Sequence, residues 1–133
     1  MFTNSFNKYF DEDNYANIRV FCDVWCKRNY PDTKKENINN LYKYVSLCIK
    51  NNVMPIFVIY PVSEFYNQYF PKKIFDELRY TLSEIALEKD ILFWDFSNDE
   101  RFTLNDFFDI QHLNIKGAEK ISKILDSKLD MLK

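Results

Sequence analysis

Glycine and histidine are almost absent from this 133-residue sequence, which contains one of each, Gly117 and His112. Because only one imidazole is available, any proton transfer by histidine near neutral pH must use His112. The scarcity of glycine also means that no serine lies in the sharp, glycine-flanked turn that exposes a catalytic nucleophile. Ser63 and Ser97, which follow the apolar runs of residues 53–60 and 91–96, therefore lack the usual context of a nucleophile.

Cysteine is scarce as well, and the three that occur, Cys22, Cys26 and Cys48, include no Cys-x-x-Cys pair. This spacing excludes a thioredoxin-type redox motif and gives no support for a zinc knuckle. We expect the three side chains to be free thiols buried in the fold. Neither a metal nor another cofactor is predicted for the chain.

Long apolar runs and long runs of one charge are also missing. No stretch of about 18 consecutive apolar residues occurs, and the N-terminus lacks a basic segment followed by an apolar core, so neither a transmembrane helix nor a signal peptide is predicted. The 18 basic and 20 acidic residues include no basic run, which argues against nucleic acid or an anionic membrane as a partner. As the chain stands, we expect it in the cytoplasm.

The spacing of apolar residues predicts alternating helices and strands. After Pro31-Asp32-Thr33, which offers a helix cap, an amphipathic pattern runs from Ile38 to Ile49 and ends at Asn51-Asn52, and a second amphipathic pattern follows Pro71. Residues 53–60 and 91–96 are apolar runs of the kind found in parallel strands covered by helices. After Asn114, a typical helix N-cap residue, apolar side chains recur at helical spacing: Ala118, Ile121, Leu125, Leu129 and Leu132.

The order of these elements predicts the fold class. Residues 1–32 form an irregular or helical N-terminal segment, in which residues 18–25 fit both a strand and a helix face, and we favour the helix. Helix, strand, helix, strand, loop and helix in residues 33–133 predict an α/β domain that is part of a doubly wound parallel sheet. Three loops would then meet at the carboxyl ends of the strands: residues 61–70, 97–101 and 106–112.

The third loop carries the strongest chemical signal, because Asp109 lies three residues before His112. In a turn, the carboxylate can accept a hydrogen bond from one ring nitrogen and leave the other as a base, as in a Ser-His-Asp triad. Two other interpretations stay open. The pair could belong to a helix-capping network without catalysis, or Asp106, Asp109 and His112 could hold a metal ion.

Residues 106–120, with the core Asp109-Ile110-Gln111-His112, resemble the last conserved block of the SGNH (GDSL-type) hydrolases, which is Asp, two residues, then His. Residues 61–66 and 95–99, after the two predicted strands, resemble the subset that contains the DltD-like proteins of D-alanyl-lipoteichoic acid synthesis. The resemblance covers residues 33–130. It implies that residues 33–133 are the C-terminal part of a flavodoxin-like SGNH domain.

The resemblance also implies acyl transfer from an ester or thioester, with His112 as the base and Asp109 stabilising the imidazolium. The acyl group would belong to a cell-envelope polymer or glycan, and the substrate would lie near Ser63 and Tyr66. Members of the family take their nucleophile and oxyanion-hole donors from three glycine-containing blocks, of which the first is Gly-Asp-Ser-like. Because Gly117 is the only glycine, none of these blocks has its usual form here.

Two hypotheses follow from the resemblance. In the first, the chain supplies the acid and base of an SGNH esterase or acyltransferase whose serine comes from a missing segment or another chain. In the second, it is a catalytically inactive SGNH-derived binding or assembly module, covered by a partner, a second copy or a missing N-terminal half. DltD-like proteins act outside the membrane behind an N-terminal anchor, so an extracytoplasmic location is expected if such an anchor has been lost.

Overall fold

The computed structural model describes residues 19, 20, 24 and 30–133. Arg19, Val20 and Val24 have helical backbone, whereas the rest of the predictions for residues 1–29, including those for Cys22 and Cys26, lie outside the described residues. The described chain is a mixed α/β fold with this order of elements: α1 (Pro31–Lys50), β1 (Ile56–Ile59), α2 (Glu64–Tyr69), α3 (Lys72–Lys89), β2 (Leu92–Asp95), a 3₁₀ turn (Leu104–Asp106) and α4 (Ile115–Asp130).

Helix α1 ends where the sequence predicts, but it begins at Pro31 with Tyr30 as its N-cap and not after the segment Pro31-Asp32-Thr33. Pro31 occupies the first turn, where its missing N–H costs no hydrogen bond, and Asp32 places negative charge near the positive end of the helix dipole. At the other end, the backbone N–H of Asn51 donates to carbonyls of the last turn, and Asn52 adopts a left-handed conformation with φ of 57°.

The two strands pair in parallel, with Ile56 opposite Leu92 and Ile59 opposite Asp95. Each strand has four residues, so the predicted strands were too long at both ends. Pro55 lacks the N–H that would extend β1 toward its start. The described residues contain only this two-stranded sheet, so a doubly wound sheet stays a prediction.

Helices contact both faces of the small sheet. On one face, α1 and α3 pack with the strand residues Phe57 and Phe93 around a core of Val45, Ile85, Ala86 and Ile91. Successive strand residues point to opposite faces. On the other face, the ammonium group of Lys128 in α4 lies 5.1 Å from the ring centre of Trp94 and 5.9 Å from that of Phe96.

Two predictions about local structure were wrong. Residues 62–70 are not only a loop, because residues 64–69 form helix α2, which the Ser63 hydroxyl caps by accepting a hydrogen bond from the N–H of Tyr66. In α4, Ile121 is buried as expected, but Ala118 and Leu129 are exposed, and Leu132, also exposed, lies beyond the end of the helix. The start of α4 packs on the 3₁₀ turn, where Gly117 lies against Asp106.

Two smaller findings concern membrane-spanning helices and thiols. Within the part of the chain that is described, no helix is both long and apolar enough to cross a membrane. Cys48 is a free thiol and is half-buried, so it is less buried than the sequence predicts.

Candidate active site

The three predicted loops do meet at the carboxyl ends of the two strands. Beyond the sheet, the N–H of Phe96 donates to the carbonyl of Ile59, so the strands stay together as they end. The backbone N–H of Ser63 donates to the carbonyl of Ile110 at 3.2 Å, which joins the first loop to the third. The side-chain amide of Asn67 donates to the carbonyl of Ser97 at 2.9 Å, which joins helix α2 to the second loop.

The segment that carries Asp109 and His112 is a closed turn. Phe107 and Leu113 form an antiparallel bridge at its base, and the N–H of Phe108 donates to the carbonyl of His112 at 2.7 Å. Inside the turn, Oδ1 of Asp109 accepts the backbone N–H groups of Gln111 at 2.8 Å and of His112 at 2.7 Å. These two bonds hold the carboxylate in place independently of its contact with the imidazole.

The imidazole of His112 lies against this carboxylate. Its Nδ1 is 2.9 Å from Oδ1 and 2.8 Å from Oδ2 of Asp109. A carboxylate can only accept, so Nδ1 carries the hydrogen and the neutral ring has its lone pair on Nε2. Among the described residues, Nε2 has no hydrogen-bond partner. The side chains of His112 and Asp109 are 70% and 39% exposed, so the pair lies at an open rim and not inside the core.

Asn114 and Gly117 hold this turn to α4. As predicted, Asn114 is the N-cap, and its Oδ1 accepts the N–H of Gly117 at 3.0 Å. Its amide group donates to the carbonyls of Asn105 at 2.8 Å and Phe107 at 3.2 Å, so this buried side chain satisfies three backbone groups. Gly117 is buried too, and its Cα faces the backbone carbonyl of Asp106 so closely that no side chain fits between them.

The buried carboxylate of Asp106 links the second and third loops to α4. Its Oδ2 accepts the backbone N–H of Thr103 at 2.9 Å and the ammonium group of Lys120, which also donates to the carbonyl of Arg101 at 2.8 Å. Burial by itself raises the pKa of the Asp106 carboxyl. The hydrogen bonds from Lys120 and Thr103, with the positive charges of Lys120 and Lys116, outweigh burial and hold this pKa below its ordinary value.

We expect this ion pair to make the protein sensitive to acid. Because the pKa of Asp106 is lower in the folded than in the unfolded chain, the carboxylate stabilises the fold above the unfolded-state pKa of about 4, and that contribution is lost as the pH falls through the folded-state pKa. Replacing Lys120 with Met should lower the free energy of unfolding at neutral pH by about 2 kcal/mol, allowing for the partly exposed ammonium group.

Urea unfolding of the wild type and of Lys120→Met across the acidic range measures this effect. The difference in free energy of unfolding between the two proteins should become smaller as Asp106 becomes protonated in both. A difference that stays constant down to strongly acidic pH would show that Lys120 stabilises the fold by packing alone.

Ser63 and Tyr66, the predicted substrate-binding residues, serve local structure in this fold. Ser63 is buried, and its hydroxyl donates to the carbonyl of Ile110 at 2.8 Å while it caps α2. Tyr66 is half-buried and stacks on Phe70, with ring centres 4.6 Å apart, and it meets the edge of Phe75. Their role in substrate binding stays a prediction.

A polar network at the end of β2 was not foreseen from the sequence. Nε of Arg79 donates to Oδ2 of Asp95 at 2.7 Å, and the guanidinium also donates to the hydroxyl of buried Ser97 at 2.8 Å. Burial raises the pKa of the Asp95 carboxyl, but bonds from Ser97 and Arg79 outweigh it and lower the pKa. Nothing in the sequence around Arg79 marks it as a partner of a strand end.

The metal interpretation finds no support in this geometry. Asp106 directs its Oδ2 to Lys120, whereas Asp109 binds the imidazole and backbone N–H groups of its own turn. Across the described residues, no three histidine, cysteine, aspartate or glutamate side chains are grouped as a metal ion would require.

Comparisons with known proteins add no assignment. No protein-family model matches this chain, and neither a curated protein nor a solved structure matches it.

Proposed function

We propose that this chain supplies the acid and base of an acyl-transfer site, acting on an ester or thioester. The observation that carries the proposal is the orientation of His112. Its Nδ1 is bound to the carboxylate of Asp109, and its Nε2, which has no hydrogen-bond partner among the described residues, lies at an exposed rim beside the carboxyl ends of two parallel strands. In open α/β sheets this rim is where ligands bind, and this is the orientation that a histidine base needs.

The reaction would use His112 twice. As the oxygen of the attacking hydroxyl adds to the acyl carbon, the proton of that hydroxyl passes to Nε2 of His112. Asp109 stabilises the resulting imidazolium through the hydrogen bond from Nδ1–H. When the bond between the acyl carbon and the leaving oxygen or sulfur breaks, the proton on Nε2 passes to that leaving group. The histidine is then neutral again, and the acyl group has moved to the attacking hydroxyl.

The attacking hydroxyl is the part of the site that the described residues do not supply. Ser63 and Ser97 are both buried, and their hydroxyls already donate to other acceptors, the carbonyl of Ile110 and Oδ1 of Asp95 respectively. We therefore propose that the nucleophile is a serine of another segment or another chain, or water, and that the two strands belong to a larger doubly wound sheet of SGNH type.

Hydrolysis of p-nitrophenyl acetate tests this proposal. We expect turnover above the buffer rate by the wild type and no turnover above that rate by His112→Ala. Ser63→Ala should keep measurable activity, because Ser63 is not the nucleophile. The proposal would be contradicted if the folded wild-type protein showed no turnover alone and also none when mixed with a chain that supplies a serine block.

Exposed apolar side chains favour a second candidate function, an SGNH-derived binding or assembly module without catalysis. Leu87 is 81% exposed and Met54, next to the start of β1, is 66% exposed. Among the described residues, β1 pairs with another strand on one side only. Such surfaces are typical of faces that another chain covers. Light scattering after size-exclusion chromatography would show a dimer for the module, and a monomer would argue against it.

A further inference from the structure

The carbonyl of Ile110 receives two hydrogen bonds from one residue. Ser63 donates to it with its backbone N–H at 3.2 Å and with its hydroxyl at 2.8 Å. Ser63 itself is fixed, because it is buried, it caps α2 and it lies four residues after the end of β1. The peptide group of Ile110 therefore ties the third loop to the segment that follows β1.

That same peptide group contacts the carboxylate of the candidate site. The carbonyl of Ile110 and the N–H of Gln111 belong to one planar unit, so fixing the direction of the carbonyl fixes the direction of the N–H. The N–H of Gln111 donates to Oδ1 of Asp109 at 2.8 Å. The contacts thus run in series from Ser63 through this peptide to Asp109, and from Asp109 to Nδ1 of His112.

We propose that Ser63 is a positioning residue that sets the orientation of Asp109, and through it of His112; the catalytic consequence rests on the function proposed above. The hydroxyl of Ser63 orients and polarises the peptide between residues 110 and 111, whose N–H then holds the carboxylate in the plane that Nδ1 requires. Hydrogen bonds in such a chain strengthen one another, so loss of the first weakens the last.

The chain offers a matched control in Ser97. Both serines are 1% exposed, each follows a strand, and each donates its hydroxyl hydrogen to an acceptor near the carboxyl ends of the strands. The hydroxyl of Ser97, however, contacts Asp95 and Arg79 and not the peptide next to Asp109. Ser63→Ala and Ser97→Ala remove equal volume, so a difference between them at His112 reports the contact with Ile110.

The test combines ring nitrogen shifts with kinetics. ¹⁵N NMR of the His112 ring gives the fraction of neutral imidazole that carries its hydrogen on Nδ1. We expect this fraction to fall in Ser63→Ala and to stay at the wild-type value in Ser97→Ala and Ser63→Thr, which keeps the hydroxyl. With p-nitrophenyl acetate, kcat/KM of Ser63→Ala should fall about 3- to 10-fold, the equivalent of one hydrogen bond.

Two results would overturn the role of Ser63: wild-type ring shifts in Ser63→Ala, or equal changes in Ser97→Ala. If Ser63→Ala does not fold, Ser63→Cys, which has a similar volume and a weaker donor, takes its place and the same outcomes apply. If the wild type shows no turnover either alone or with a chain that supplies a serine block, the proposed function fails, while the ring shifts still decide whether Ser63 positions the pair.

Discussion

Gly117→Ala is expected to lower the free energy of unfolding by about 3 kcal/mol or more. A Cβ atom at this position would lie 2.1 Å from the backbone oxygen of Asp106 and 2.9 Å from Cδ2 of Leu113. The backbone oxygen of Asp106 cannot move away without weakening the hydrogen bond that it accepts from the N–H of Asn114 at 3.0 Å. Either the start of α4 or the turn before it must move.

Helix propensity acts in the opposite direction and is too small to compensate. Alanine is favoured over glycine in a helix by about 1 kcal/mol, and Gly117 has no positive φ that would add a conformational penalty. The overlap with a backbone atom should therefore dominate. Urea unfolding followed by circular dichroism measures the difference, with Lys116→Ala as the exposed neighbour that should change stability by less than about 0.5 kcal/mol. A Gly117→Ala protein as stable as the wild type would contradict this account of the turn.

Asp109→Asn is expected to lower kcat/KM for p-nitrophenyl acetate by about 10²- to 10⁴-fold with little change in the fold. Oδ1 of Asp109 accepts two backbone N–H groups, and an asparagine must keep its oxygen there to satisfy them. Its amide nitrogen then replaces Oδ2, which faces Nδ1 of His112 at 2.8 Å. Because that nitrogen is a donor, Nδ1 becomes the acceptor, the ring hydrogen moves to Nε2, and the base is lost.

Asp126→Asn provides the control for this substitution, since it makes the same chemical change on an exposed part of α4. It should leave kcat/KM at the wild-type value. An Asp109→Asn protein that retains most of the wild-type rate would show that His112 does not act through Asp109.

Residue types with strong local preferences allowed much of the fold to be predicted. Pro31 and Asn52 mark the ends of α1, and Asn114 marks the start of α4, because their backbone preferences or short polar side chains suit those positions. Continuous apolar runs correctly indicated parallel strands. The strand lengths were overestimated, since the apolar residues before Pro55, Val53 and Met54, lie exposed without pairing.

The parts that could not be predicted depend on contacts between residues far apart in the chain. The hydroxyl of Ser63 contacts a carbonyl 47 residues away, and Arg79 reaches Ser97 18 residues later. No local pattern specifies such pairs. The Asp109–His112 contact was predicted because it lies within one turn, where a spacing of three residues is enough to bring the side chains together.

The position of the hydrogen on the neutral ring of His112 tests the central claim most directly. Long-range ¹H–¹⁵N NMR of the wild-type protein, above the pH at which the ring loses its charge, distinguishes a protonated from an unprotonated ring nitrogen. The structure predicts a hydrogen on Nδ1, held by Asp109, and an unprotonated Nε2. A hydrogen found on Nε2 would contradict it, because a nitrogen that carries a hydrogen cannot accept one from a nucleophile.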